Sequence, residues 1–164
     1  MSDDTSEFLS QYHDIPFKGE VPENITPNSP VRNYPYYMNF AGERLLITGG
    51  GHIANRLDRP GTIMTFENNT WNSFQEEGIS EQTKHRYDDI NCIVQDPKDI
   101  AHHFAASAGE GIYEFKDGKF INWYSMHNSP LESAVPNEPW ADSYVRVNGL
   151  IYDKENNLWM VSCE

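Results

Sequence analysis

The feature that most constrains this chain is an internal repeat. Residues 62–74 lie over residues 111–123 without a gap, so Ile63 and Phe66 fall on Ile112 and Phe115, and Trp71 and Phe74 on Phe120 and Trp123, each pair 49 positions apart. Between the halves of the two copies stand Asn68-Asn69 and Asp117-Gly118. Both dipeptides tolerate the positive φ angles of a two-residue hairpin turn, so each copy reads as strand, tight turn, strand.

A second pair of strands precedes each such hairpin. Ile90 to Asp96, a turn, and His103 to Ser107 come before the second copy, and the same order returns as Val147 to Asp153, a turn at Lys154-Glu155-Asn156, and Leu158 to Ser162. In that pairing Phe104 matches Trp159 and Ser107 matches Ser162. The first copy is looser: Tyr36 to Phe40, a turn at Ala41-Gly42-Glu43, and Leu45 to Thr48. Four strands in about fifty to sixty residues is the size of a propeller blade. The expected fold class is therefore all-β, a fragment of a β-propeller with four-stranded antiparallel blades. The expected divisions are an extended linker or remnant of a preceding blade over 1–33, a blade with a long insertion between its second and third strands over 34–87, a second blade and its connection over 88–143, and the first two strands of a third blade over 144–164. Blades pack face to face, and fewer than four cannot close a ring. Either further blades or other chains are expected to complete it, and the terminal blades are expected to expose apolar faces.

Composition narrows the function. Twenty-five acidic against twelve basic residues leave a formal charge of −13, and Lys and Arg are scattered singly, which argues against a phosphate backbone as partner. No apolar stretch is long enough to span a bilayer. The amino terminus lacks the charged and apolar regions of a secretory signal, and both ends are expected to be cuts from a longer protein. Aromatic residues make up 13%, and Gly and Pro together number twenty-one, a mixture for short strands and turns rather than long helices. Cys92 and Cys163 read as two buried thiols, with a bridge between them the lesser alternative.

The stretch Asp153-Lys154-Glu155-Asn156-Asn157-Leu158-Trp159-Met160-Val161-Ser162, an Asp, a polar turn and a Leu-Trp strand, resembles the two-component-regulator propeller repeat, and Gly111-Ile112-Tyr113-Glu114-Phe115 resembles the strand that follows it there. In that family such repeats form extracytoplasmic propellers of hybrid two-component sensors in Bacteroidetes, and the propellers of a surface protein of the type IX secretion system. Asp96-Pro97-Lys98-Asp99, Ala106 to Gly111 and Asn128-Ser129-Pro130-Leu131 resemble the secretion-type propeller more closely. The resemblance covers residues 34–164; the first copy departs from it, with no Asp before its turn and a long insertion after Thr48. It implies a periplasmic or cell-surface location.

Strand direction alternates within a blade, so the connections between first and second and between third and fourth strands open on one face, and the others on the opposite face. The long connections, Gly49 to Gly61, Gln75 to Asp89 and Ser125 to Tyr144, all fall in the second set. Binding groups concentrate on long loops over a rigid frame, so the expected binding residues are His52, Arg56, Asp58, His85, Arg86, His127, Trp140 and Asp142, facing a protein or glycan partner, with the remaining blades as a further partner. No catalytic residue, metal or cofactor is expected. His102 and His103, with Asp96 and Asp99 nearby, offer metal-ligand types, but strand neighbours point to opposite faces, so the two His do not readily converge. Gly49-Gly50-Gly51 lacks the Lys-Ser/Thr and helix of a phosphate loop and reads as a flexible bend. Asp88-Asp89 and Glu76-Glu77 supply the paired carboxylates glycoside hydrolysis needs, but read as residues that solvate loops. The expected function is a non-enzymatic interaction module of an extracytoplasmic bacterial protein. The alternatives are a glycan-sensing ectodomain of a hybrid two-component sensor and, below it, a propeller glycosidase or lyase.

Overall fold

A computed structural model describes residues 28–51 and 57–162. Among the described residues ten strands form three antiparallel sheets. Blade 1 contains β1 (Tyr37–Ala41), β2 (Arg44–Thr48), β3 (Ile63–Glu67) and β4 (Thr70–Ser73), hydrogen-bonded in that order. Blade 2 repeats the order with β5 (Ile90–Asp96), β6 (Asp99–Ser107), β7 (Ile112–Lys116) and β8 (Lys119–Tyr124). Blade 3 comprises β9 (Val147–Tyr152) and β10 (Leu158–Ser162). The helical content of the described residues is slight: α1 (Ile79–Thr83) and a 3₁₀ turn at Ala141–Ser143, both within long connections. This is the all-β blade architecture expected of a β-propeller fragment.

The hairpin turns form for the reason their residues suggest. Asn68 and Asn69 take φ of 50° and 58°, and Asp117 and Gly118 take 52° and 70°, the twin left-handed residues whose twist matches that of the flanking strands. β6 is longer than its apolar stretch because Asp96 folds back at once, accepting from the Lys98 N–H at 2.8 Å, so the ladder begins at Asp99.

Blade 2 buries one face against blade 1 and the other against blade 3. Leu46, Ile63 and Phe74 of blade 1 meet Ile93, Ala105, Tyr113 and Phe115 of blade 2, with Ile79 and Tyr87 of the connecting loop closing the cluster. The opposite face of blade 2 sets Cys92, Val94, Ala106 and Ile112 against Val147 and Leu150 of blade 3, closed by Leu131 and Val145. Residues Ile90 to Val94 are all buried, because β5 is covered on both sides and its period of two is hidden in a continuous apolar run. Arg44 ties the blades on the short-turn side, donating to Glu67 in its own blade and to Gln95 Oε1 at 3.1 Å and the Ile100 carbonyl at 2.7 Å in the next. The outward faces of the terminal blades expose Met38 and Phe40 at one end and Ile151, Trp159 and Val161 at the other, as expected of blades without a neighbour.

Two expectations are corrected. The gapless match of Phe74 to Trp123 fails in space: the β7–β8 ladder slips by one residue between Glu114 and Phe115, so Tyr124, not Trp123, stands opposite Ile112 as Phe74 stands opposite Ile63. A one-residue slip sends a side chain to the other face of its strand. The glycines after β2 are not a flexible bend. Gly50 is buried, its N–H donates to the Ile90 carbonyl at 2.8 Å, and a Cβ there would lie 2.3 Å from the backbone of Asp89; only glycine lets the two blades' main chains come this close.

Candidate functional site

The three long connections are stitched together on one side of the blades. Pro60 bridges Asp88, the Asp89 N–H donates to the Arg59 carbonyl at 2.9 Å, the Ala108 N–H to the Asp89 carbonyl at 3.0 Å, and the Val145 N–H to the Gly109 carbonyl at 2.8 Å. The chain thus passes from loop to loop by backbone hydrogen bonds, which satisfy main-chain groups that no blade ladder reaches.

Within this face lies an open groove of about 590 Å³ to which His85, Arg86, Trp140 and Asp142 all contribute. α1 and the residues after it deliver the first two: Lys84 ends the helix with a left-handed φ of 62°, and the Thr83 hydroxyl accepts from the His85 N–H at 3.2 Å. The buried Tyr113 pins the segment from below, its hydroxyl donating to the Arg86 carbonyl at 2.7 Å. The 3₁₀ turn at Ala141–Ser143 carries Trp140 and Asp142 to the opposite wall. Trp140 remains 54% exposed, an indole face with room for a partner.

His85 sits in a built environment. Its ring packs on Trp123 with centroids 4.5 Å apart, its Nδ1 lies 3.3 Å from Glu110 Oε2, and the Trp123 indole N–H donates to the Glu110 carbonyl. The bulge in β8 explains the arrangement, since it turns Trp123 to the face where His85 lies. Glu110 is wholly buried.

Arg86 organises the acidic side of the groove. Its Nη2 lies 2.7 Å from Asp58 Oδ1 and 2.5 Å from Asp88 Oδ2. Burial works against its charge, but the hydrogen bond to Asp58 and the negative charges of Asp88, Asp58 and Glu110 outweigh that and hold the guanidinium above its ordinary value. The carboxylates of Asp58, Asp88 and Asp89 come within 4.8 Å of one another. Asp89 is committed to structure, accepting the backbone N–H groups of Asp58 at 3.0 Å and Arg59 at 3.2 Å. Asp88 and Asp89 are 4% and 0% exposed. They do not solvate a loop, because the stitched backbone draws them inward. Glu76 pairs with Arg32 at 2.8 Å and accepts from the Thr62 hydroxyl.

Of the eight residues expected to bind, His85, Arg86, Trp140 and Asp142 meet in the groove. Asp58 joins them through Arg86, and His127 through Asp142, with Nε2 3.0 Å from Oδ1. His52 and Arg56 lie outside the described residues, as does Cys163; Cys92 is a buried thiol pushed up to about 12, chiefly by burial. Lys84, Trp123 and Glu110 were not anticipated. Lys84 and Glu110 carry no sequence signal beyond their charge, and Trp123 was hidden by the bulge. His102 and His103 diverge as expected: His102 Nε2 meets Glu114 at 2.6 Å, while His103 is buried beside Phe74.

Stacked four-stranded blades with their long loops gathered on one side define a β-propeller fragment carrying a loop-built surface. The chain is similar in structure to PorZ, an essential bacterial surface component of the type IX secretion system of Porphyromonas gingivalis, with 26% sequence identity and a TM-score of 0.74 across 90% of this chain. It spans 19% of the length of PorZ. No family model matches the chain, and no curated protein does. The likeness to this surface component of a secretion system therefore rests on fold and sequence together, whereas the propeller repeat type stays a resemblance in the wording of residues 153–162.

Proposed function

We propose that this chain is part of a non-enzymatic interaction module of a bacterial cell-surface assembly related to type IX secretion, and that it engages its partner through the groove on the long-loop face. The observation that carries this reading is the likeness to PorZ at 26% identity over nine-tenths of the chain. The shape of the face supports it: polar side chains held by buried partners surround a half-exposed indole, an arrangement suited to recognition. The same likeness supports a location outside the cytoplasm, which we take to be the cell surface.

The test is a deletion strain of the source bacterium, with proteins exported to the medium and surface compared against the parent, and intact cells shaved with protease to locate the chain. Loss of type IX cargo from the surface together with protease sensitivity supports the reading; an unchanged set of exported proteins overturns it. In the complemented strain, Trp140→Ala is expected to leave the melting temperature within about one degree, since truncating an exposed side chain removes no core contact, while cutting partner capture several-fold.

The second reading is glycan sensing, favoured by the exposed Trp140 beside the His127–Asp142 pair, an aromatic platform flanked by hydrogen-bonding groups. A glycan array probed with the wild type and with Trp140→Ala separates the two.

A further inference from the structure

The two connections that wall the Trp140 groove are both acidic. Gln75 to Asp89, which supplies one wall, carries five acidic residues against Lys84 and Arg86, and Ser125 to Tyr144, which supplies the other, carries Glu132, Glu138 and Asp142 with no Lys or Arg. On the first wall the charge of Arg86 is already matched by Asp58 at 2.7 Å and Asp88 at 2.5 Å, with the Glu110 carboxylate behind them. On the second, Asp142 is half-exposed, and His127 Nε2 at 3.0 Å fixes its Oδ1; among the described residues nothing takes Oδ2. The groove therefore carries an excess of negative charge. Lys84 is its one cation that no described carboxylate pairs.

Beside that carboxylate stands an open aromatic face. Trp140 caps the 3₁₀ turn whose middle residue is Asp142, and its indole is 54% exposed. An indole attracts a cation over its ring more strongly than a phenol does. Elsewhere the chain covers such faces from its own residues: the Arg59 guanidinium lies 5.1 Å above the Tyr34 ring, and that of Arg146 lies 4.9 Å above Tyr144, four residues on from Trp140. Among the described residues no cation lies over Trp140.

We propose that the groove takes a basic side chain of a protein partner, arginine before lysine, with its guanidinium laid on the Trp140 indole and donating to Asp142. This deepens the proposed function and rests on the groove being the partner site. Arginine suits the pair because a planar guanidinium stacks on a ring while its edge N–H groups reach a carboxylate, whereas a compact ammonium does one or the other. The formal charge of −13 draws a basic segment toward the chain and repels an acidic one. Lys84 opposes a cation, so the proposal fixes the sign of its effect: removing it tightens binding, whereas at an anion site removing it would loosen binding.

The test titrates the full chain with the end-blocked peptide Gly-Ser-Arg-Ser-Gly and with versions carrying lysine, citrulline or glutamate in place of the arginine. Binding is read from the indole N–H signal of Trp140 by NMR, assigned with Trp140→Phe. A saturable shift with the arginine peptide, a weaker one with lysine and none with citrulline or glutamate is expected. Asp142→Asn is expected to weaken arginine-peptide binding by about two- to five-fold and Lys84→Gln to strengthen it by a similar factor, the size of an exposed charge pair, and both effects shrink as salt rises. Lys84 is exposed and Asp142 half-exposed, so neither change removes a core contact. Equal binding of the arginine and citrulline peptides, or no shift with any peptide, overturns the proposal. Preference for the glutamate peptide, or the two variants moving affinity in the opposite directions, identifies an anion site and overturns it as well. Failure here with cargo export still lost in the deletion strain sinks this inference alone, whereas a functioning cation site with unchanged export sinks the role in secretion.

Discussion

At neutral pH the imidazole of His103 sits uncharged between blades 1 and 2, edge-on to Phe74 at 4.9 Å, with its Nδ1–H directed at the Ala101 carbonyl. Burial is the main cause that pushes its pKa from 6.5 down to about 4. Between those values the unfolded chain binds the proton and the folded chain does not, so stability is fully present above pH 6.5 and falls as pH drops toward 4, by at most roughly 3 kcal/mol. His103→Leu is expected to flatten this limb in urea unfolding curves between pH 7 and pH 4. Asp153 behaves in the same sense at lower pH. The Trp159 indole N–H at 2.7 Å and the side chain and backbone of Asn157 donate to its carboxylate, drawing its pKa from 3.8 to about 2. Its contribution is present above 3.8 and lost as pH falls through about 2, and Asp153→Asn is expected to remove that part of the acid limb in thermal melts from pH 4 to pH 2. Those hydrogen bonds also give the Asp, polar turn and Leu-Trp wording a physical meaning, since the Asp binds both the turn and the strand that follows. The sequence displayed the wording; the bonds needed coordinates.

The hairpins are the elements whose sequence speaks most directly. Gly118 has φ of 70°, and a Cβ there would meet Phe74 only at an ordinary 3.5 Å, so the cost of a side chain is one of backbone conformation. Gly118→Val is expected to lower stability by about 1–2 kcal/mol, measured by urea unfolding, since a β-branched residue resists the left-handed region. β8 shows where local reading stops. Its residues match those of β4 one for one, yet the ladder slips between Glu114 and Phe115, and the slip decides that Tyr124 packs against the second cluster while Trp123 turns to the side of the first, where it stacks on His85. Register belongs to the pair of strands, so neither strand's sequence contains it. The same limit hid Asp88 and Asp89, two charges in a loop by sequence and buried acceptors once the loops are stitched.

For the molecule as a whole, cohesion lies in the faces between blades. Phe115 is fully buried at the junction of blades 1 and 2 beside Phe74, Tyr87 and Phe120. Phe115→Ala is expected to cost about 3–5 kcal/mol, read as a lowered urea midpoint, with increased binding of an apolar dye as the junction loosens. The sequence by itself determined the strands, their tight turns, their grouping into blades and the sharing of one face by the long connections, because hairpin chemistry and strand alternation are local and the repeat makes them periodic. Only the tertiary structure decided which side chains that face gathers: it joined His85, Arg86, Trp140 and Asp142 from two distant connections and supplied Trp123 and Glu110 behind them. The reason is that register, bulges and loop stitching are set by hydrogen bonds and packing between segments far apart in the chain, and such pairings leave no mark within either segment alone.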